Sequence, residues 1–183
     1  AFLPGQYVNL QVPGTDQTRA YSFSSHPAAD EASFLIRNIP GGLMSGYLAR
    51  AKPGDALSLT GPMGAFYLRP VTRPQVFLAG GTGLAPFLSM LELITTQGSD
   101  QPIHLVYAVT RLADLVEIDR LESLAARLPS LRITTIVADP ACDHPKRGYV
   151  TDHLTATDLW EGQADVYLCG PPPMVEAVRA HMK

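Results

Sequence analysis

A chain of 183 residues with 46% hydrophobic and 17% charged side chains can hold one ordinary domain or two small ones, and its composition is globular rather than disordered. The net charge of −3 and pI near 5.9 argue against a nucleic acid or an acidic membrane surface as partner. Two cysteines, Cys142 and Cys169, are too few for a disulfide framework or for the four ligands of an ordinary iron–sulfur cluster, so any such cluster is expected on another domain or chain.

The opening residues AFLPGQY lack the charged start and cleavage site of a signal peptide, and no apolar run reaches membrane-spanning length, so a cytoplasmic location is expected. The immediate entry into a Pro-Gly turn reads as a start in mid-domain, and the chain is taken as a fragment. Short β-type runs follow at Gln6 to Val12, Arg19 to Ser24, Ser33 to Asn38 and Ala56 to Thr60, with turns at Pro4-Gly5, Pro13-Gly14, Pro40-Gly41 and Pro53-Gly54. Short strands at this spacing predict an antiparallel barrel or sandwich. Gly42 to Ala51 is the exception and reads as a short helix. From Pro74 the pattern changes to strands at Gln75 to Ala79, Ile103 to Val109, Arg132 to Ala138 and Asp165 to Cys169, alternating with helices at Pro86 to Gln97, Ile118 to Leu128 and Pro173 to His181. Such alternation predicts a parallel sheet wrapped by helices. The division is expected near Val71 to Pro74, giving units 1–72 and 73–183.

Gln75 to Ser89, QVFLAGGTGLAPFLS, joins a strand to a helix through Gly80, Gly81, Thr82 and Gly83, with Pro86 in the helix's first turn, where its missing N–H costs nothing. Glycines admit an anion close to the backbone, and the helix dipole favours negative charge, so a pyrophosphate suits this turn. The match to G-x-G-x-x-G is partial, and no Walker A lysine is present, which argues against a nucleotide triphosphatase. The same residues also suit a ligand-free strand-to-helix turn. Arg19-Ala20-Tyr21-Ser22 offers a cation and an aromatic on one face of a strand and a hydroxyl on the other, fit for a charged aromatic cofactor or for an ordinary surface strand. Gly42-Leu43-Met44-Ser45 opens a helix with free N–H groups, as a binding turn or a plain cap. Cys169-Gly170-Pro171-Pro172-Pro173-Met174 places a thiol at the strand edge where open α/β sheets bind ligands, although a lone cysteine there is usually inert. Asp139, Cys142, Asp143 and His144 read as a polar loop, because they lack paired ligands at a metal spacing.

In this order, RAYSFSS, GGLMSGYL, GPMGAF, AGGTGLAPFLSML and LCGPPPM resemble the ferredoxin–NADP reductase superfamily, most of all the NADH-dependent reductase component of benzoate- and toluate-type ring-hydroxylating dioxygenases. The resemblance implies an antiparallel Greek-key FAD-binding barrel followed by a Rossmann-like parallel five-stranded nucleotide-binding sheet. By position, Arg19 would contact the flavin pyrophosphate, Tyr21 would stack on the isoalloxazine, and Ser22 would bond near flavin N5. Gly42, Met44 and Ser45 would hold FAD phosphates, the last feature favouring FAD over FMN. Gly80, Gly81, Thr82, Gly83 and Pro86 would take the NADH pyrophosphate, with Thr110, Arg111 and Glu117 toward the adenosine. Cys169 and Gly170 would lie beside the nicotinamide, with Pro171, Pro172 and Met174 shaping their turn, and Ser22 and Cys169 would be the catalytic pair. Glu117 and Ile118 stand where NADPH enzymes carry Tyr and Lys, which implies NADH, although Arg111 argues the other way.

The implied activity is hydride transfer from NADH to FAD and single-electron transfer to an iron–sulfur ferredoxin domain or oxygenase component. A non-catalytic FAD-binding relay or regulatory module, or a superfamily reductase serving a haem acceptor, is the alternative. The resemblance also implies a strand before Pro4 and a C-terminal aromatic over the flavin. Neither is found between Ala1 and Lys183, so incomplete FAD retention and an open flavin face are expected of this fragment.

Overall fold

In the computed structural model, which describes residues 1–183, the first part of the chain forms strands β1 (Tyr7–Gln11) and β2 (Thr18–Ser22), helix α1 (Leu43–Leu48) and strand β3 (Leu59–Met63). The strands make an antiparallel sheet in the order β2-β1-β3. Alternation decides its buried face: Val8 and Leu10 of β1 point into a small core with Val12, Phe23 and Met44, while Tyr7 and Asn9 stay partly exposed. Met44 of α1 is 4% exposed and closes that core. Pro62, which has no N–H to donate, is accommodated because β3 is an edge strand paired only with β1.

The strand expected at Ser33 to Asn38 does not form. Phe34 makes one isolated bridge to Phe23, and Leu35 then packs against the core of the second sheet, which carries the chain away from any partner strand. The expected strand at Ala56 to Thr60 starts later, at Leu59.

The second part is a parallel sheet of β4 (Gln75–Gly80), β5 (Ile103–Val109), β6 (Leu131–Val137) and β7 (Asp165–Cys169) in the order β6-β5-β4-β7, with helices α2 (Ala85–Gln97), α3 (Ile118–Arg127) and α4 (Pro172–His181). It has four strands, not the expected five. The stretch between β6 and β7, rich in Asp, Pro and Gly, closes two 3-10 turns, Val150–Asp152 and Thr157–Gly162, and adds no strand.

Every residue of β4 is buried, as a central parallel strand covered on both faces requires. Its alternate side chains divide between two cores. Phe77 and Ala79 meet Phe87, Leu88, Leu91, Leu121 and Leu124 of α2 and α3. Val76 and Leu78 meet Val150, Leu154 and Val178 on the other side. The two sheets are joined by apolar contact: the Phe66 ring lies edge-on to Phe87 at 6.0 Å and to Tyr167 at 5.8 Å, and Leu35, Leu68 and Val71 pack on the same core. Gly5 is required there, since a side chain at its φ of 107° would meet Met90 Cε and the Phe66 carbonyl at 2.6 Å. No helix is long and apolar enough to cross a membrane.

Candidate functional site

Strand β4 ends at Gly80, and residues Gly81–Leu84 close a 3-10 turn that passes directly into α2, with Pro86 buried in that helix's first turn. The β4–β7 register places Ala79 opposite Cys169, so the glycine turn and the Cys169 to Met174 turn stand side by side at the C-terminal edge of the sheet. They interlock. A Cβ on Gly83 would overlap the Cys169 carbonyl, and one on Gly80 would meet Met174 Sδ at 2.5 Å and Pro171 Cδ at 2.8 Å. Gly170 likewise lies against Gly80, with its own Cβ position 3.1 Å from Gly80 Cα.

The three glycines therefore serve different ends. Gly80 and Gly83 let two backbones touch, whereas Gly81, at φ 54° with nothing within 4 Å of its Cβ position, faces open space. Thr82 between them is exposed. An open, glycine-lined backbone at a strand-to-helix turn has the shape and the donors that a pyrophosphate needs. Cys169 closes β7 beside it, and burial pushes its thiol up, so at neutral pH it is an uncharged thiol and not a nucleophilic thiolate. Its suitable work is packing and orienting a ring placed against it.

In the first sheet, β2 pairs Arg19 with Leu10, Tyr21 with Val8 and Ser22 with Tyr7. Tyr21 thus lies on the face of Val8 and packs against the small core that holds Met44, which brings the Arg19 to Ser22 strand and α1 together. Burial raises the Tyr21 phenol and the nearby Arg19 charge opposes that rise. The exposed Arg19 guanidinium donates only to the Thr18 carbonyl and Gln17 Oε1, both at 2.9 Å, leaving N–H groups for an anion. At the start of α1 the first helical bond is Gly46 N–H to the Gly42 carbonyl at 2.8 Å, so the N–H groups of Leu43, Met44 and Ser45 precede the ladder. The Ser45 hydroxyl accepts from Ile39 N–H at 2.9 Å and fixes the preceding turn. These donors fit the phosphates of a flavin dinucleotide.

The third group, Thr110, Arg111 and Glu117, follows β5. Thr110 is exposed, and its carbonyl accepts from Asp139 N–H at 3.0 Å. Arg111 grips Asp114 with two N–H groups, at 3.2 and 3.0 Å, and this hydrogen bonding holds the Asp114 carboxyl below its ordinary range. Arg111 therefore presents a largely neutralised charge to a ligand. Glu117, in the left-handed region at φ 62°, is not free either: Arg120 Nη1 donates to its Oε2 at 3.3 Å. Asp139, Cys142, Asp143 and His144 do not converge. Cys142 donates to the Asp139 carbonyl, and His144 bonds to Lys146 and Thr135.

Two arrangements escaped the sequence reading. Arg120 reaches the carbonyl of Ser24, just beyond the end of β2, together with Glu92 of α2 and Glu117. His104, 3% exposed at the opposite edge of the parallel sheet, accepts from Arg132 at Nδ1 (2.9 Å) and so must carry its proton on Nε2, which donates to Thr134 Oγ1 at 2.9 Å. Arg132 also bonds Asp158 at 2.8 Å. Burial, and then the Arg132 charge, lower His104 to about 4. Helical spacing hinted at Arg120 with Glu117, but nothing local marked Ser24. A recess of about 850 Å³ lined by Leu68 to Val71, by Leu93 and Ile94 and by Gln97 to Gln101 also lies at that far edge, and no predicted site residue lines it.

Residues 77–180 match the oxidoreductase NAD-binding domain family, and residues 1–67 match the oxidoreductase FAD-binding domain family. The chain is 59% identical, over its whole length, to the toluate 1,2-dioxygenase electron transfer component of Pseudomonas putida, of which it covers 55%. It is 50% identical over 98% of its length to the 2-halobenzoate 1,2-dioxygenase electron transfer component of Burkholderia cepacia, covering 54% of that protein. The chain thus spans about half the length of these relatives. Among solved structures, the Amycolatopsis cytochrome P450 reductase GcoB superposes with a TM-score of 0.85 at 34% identity, over 100% of this chain and 57% of that one. Ferredoxin-NADP+ reductase from Plasmodium falciparum gives 0.85 at 22% identity, over 100% of this chain and 80% of that one, a likeness of fold. The chain belongs to the oxidoreductase NAD-binding domain family, with an FAD-binding domain preceding that match.

Proposed function

We propose that this member of the NAD-binding oxidoreductases is the reductase part of an electron transfer component, carrying reducing equivalents from NADH through FAD to an iron–sulfur partner of an aromatic-ring dioxygenase. The observation that carries the reading is the interlocked pair of turns, Gly80 to Gly83 against Cys169 to Met174, at the ligand-binding edge of the parallel sheet. Bound FAD would supply the chemistry itself, accepting a hydride and returning electrons one at a time.

The chain's own residues bind and orient. Arg19 and the N–H groups opening α1 would hold the flavin's phosphates, and Tyr21 would present its ring to the isoalloxazine. The Ser22 hydroxyl would offer a hydrogen bond near N5. Gly81 and Thr82 would receive the nicotinamide nucleotide's pyrophosphate, Glu117 would accept from an adenosine ribose hydroxyl, and the uncharged Cys169 with Gly170 would flank the nicotinamide. The dioxygenase system is the printed role of the two relatives above, and their identity over nearly the whole of this chain supports the same role here.

The test is anaerobic addition of NADH to the FAD-loaded protein. Bleaching of the visible flavin absorbance, followed by reduction of an added ferredoxin, is expected. A flavin that stays oxidised would sink the reductase reading and favour a non-catalytic relay module.

A further inference from the structure

We infer that Arg120 is a positioning residue that sets the spacing between the flavin-binding strand and the nicotinamide nucleotide site, an inference that rests on the function proposed above. Arg120 stands in the first turn of α3, and its guanidinium uses three nitrogens on three separate partners. Nε donates to Glu92 Oε1 of α2 at 3.1 Å, Nη1 to Glu117 Oε2 at 3.3 Å, and Nη2 to the Ser24 carbonyl at 2.7 Å. Ser24 lies two residues beyond Ser22. Its carbonyl is itself fixed, because Ser24 N–H donates to the Ser33 carbonyl at 2.8 Å and the two hydroxyls bond at 2.9 Å. Glu92 lies on the helix that continues the glycine turn, so one planar cation gauges the distance from the end of β2 to the helix that opens at that turn.

A planar fork with fixed donor directions can hold three acceptors in one geometry, which a lysine ammonium on a flexible stem cannot. The site is only partly exposed, 28% at Arg120 and 20% at Glu92. Arg127 is the natural contrast: it approaches Glu92 at 3.6 Å and donates to the Ser123 carbonyl, staying within α2 and α3. Hydride transfer depends steeply on donor–acceptor distance, and misplacement by an ångström costs roughly a hundredfold.

Arg120→Met, Arg120→Lys and Arg127→Ala would be compared with the wild type, all FAD-loaded, by anaerobic stopped-flow reduction with NADH. The long-wavelength charge-transfer absorbance of the reduced flavin with NAD is read alongside, as is amide hydrogen exchange over residues 22–25 in flavin-free protein. Arg120→Met should slow flavin reduction by about tenfold to a hundredfold, weaken the charge-transfer absorbance and speed exchange at 22–25. Arg120→Met also releases Glu117, so the rates are compared at saturating NADH. Arg120→Lys should fall between, and remains informative if the Met variant does not fold. Arg127→Ala should match the wild type. Wild-type rates and absorbance in both Arg120 variants would overturn the inference, as would an equal loss in Arg127→Ala. A wild-type flavin that NADH does not bleach overturns the proposed function instead, so the two failures are distinguishable.

Discussion

His104 makes the stability of the parallel-sheet half depend on pH in a calculable way. The imidazole is neutral in the fold because its surroundings exclude water and because Arg132 donates to Nδ1, and its pKa falls from 6.5 to about 4. Asp158, 3.7 Å away, favours the charged form but is outweighed. In the unfolded chain the ring titrates near its ordinary value, so between these two limits the unfolded state binds more protons than the folded one. The contribution is fully present above pH 6.5 and is lost as pH falls toward about 4. At ~1.4 kcal/mol per pKa unit, the fall from about pH 7 to about pH 4.5 removes about 2 kcal/mol.

Burial raises the Asp158 carboxyl, but hydrogen bonds from Thr155 and Arg132 together outweigh it and hold the group below its ordinary value, so its own contribution is lost at still lower pH and stays out of this window. Urea titrations followed by fluorescence of the single tryptophan, Trp160, which packs against the core that holds Val76, Val106 and Ile136, read the effect directly. The variant His104→Gln cannot take up the proton. Its stability at neutral pH should drop by about 1 kcal/mol for the altered hydrogen bonds, and its loss on acidification should shrink by about 2 kcal/mol. If His104→Gln loses as much as the wild type over the same interval, another group is titrating and the assignment of the neutral ring is wrong.

Gly83→Ala forces a methyl onto the Cys169 carbonyl and should cost about 2 to 3 kcal/mol of stability, whereas Gly81→Ala, strained only by its positive φ, should cost about 1 kcal/mol, both measured by urea midpoint; equal costs would refute the division of labour between the two glycines. Arg19→Ala should weaken FAD binding by about one to two decades, the loss of a charge-assisted hydrogen bond, in a flavin fluorescence titration, and the flavin extracted from the full-length protein should be FAD rather than FMN. Glu117→Gln keeps the shape held by Arg120 but removes the carboxylate charge, and should reduce a preference for NADH over NADPH by about tenfold in kcat/KM; an unchanged ratio would take Glu117 out of coenzyme selection.

Features that depend on some ten neighbouring residues were legible before any packing was known. Pro-Gly turns between short runs at the start announced an antiparallel sheet, and the later alternation of apolar strands and helices announced the parallel one. All four parallel strands and the three helices lie within two residues of where periodicity put them, because apolar spacing sets which face each element buries. The glycines of 80–83 were legible as a turn fit for phosphate, since backbone conformation is a local property. The rest depends on contacts between distant parts of the chain. Gly80 and Gly83 turn out to answer to the Cys169 to Met174 turn, which the β4–β7 pairing brings against them. Ser33 to Asn38 has strand chemistry but no partner, so Leu35 went to the second core instead. Arg120 bonds a carbonyl 96 positions away, and that contact exists only because the two sheets meet across Phe66, Phe87 and Tyr167. Hydrophobic pattern specifies which face is buried; which two faces are buried against each other is settled by the packing of the whole chain, and the polar contacts that form along that seam follow from it.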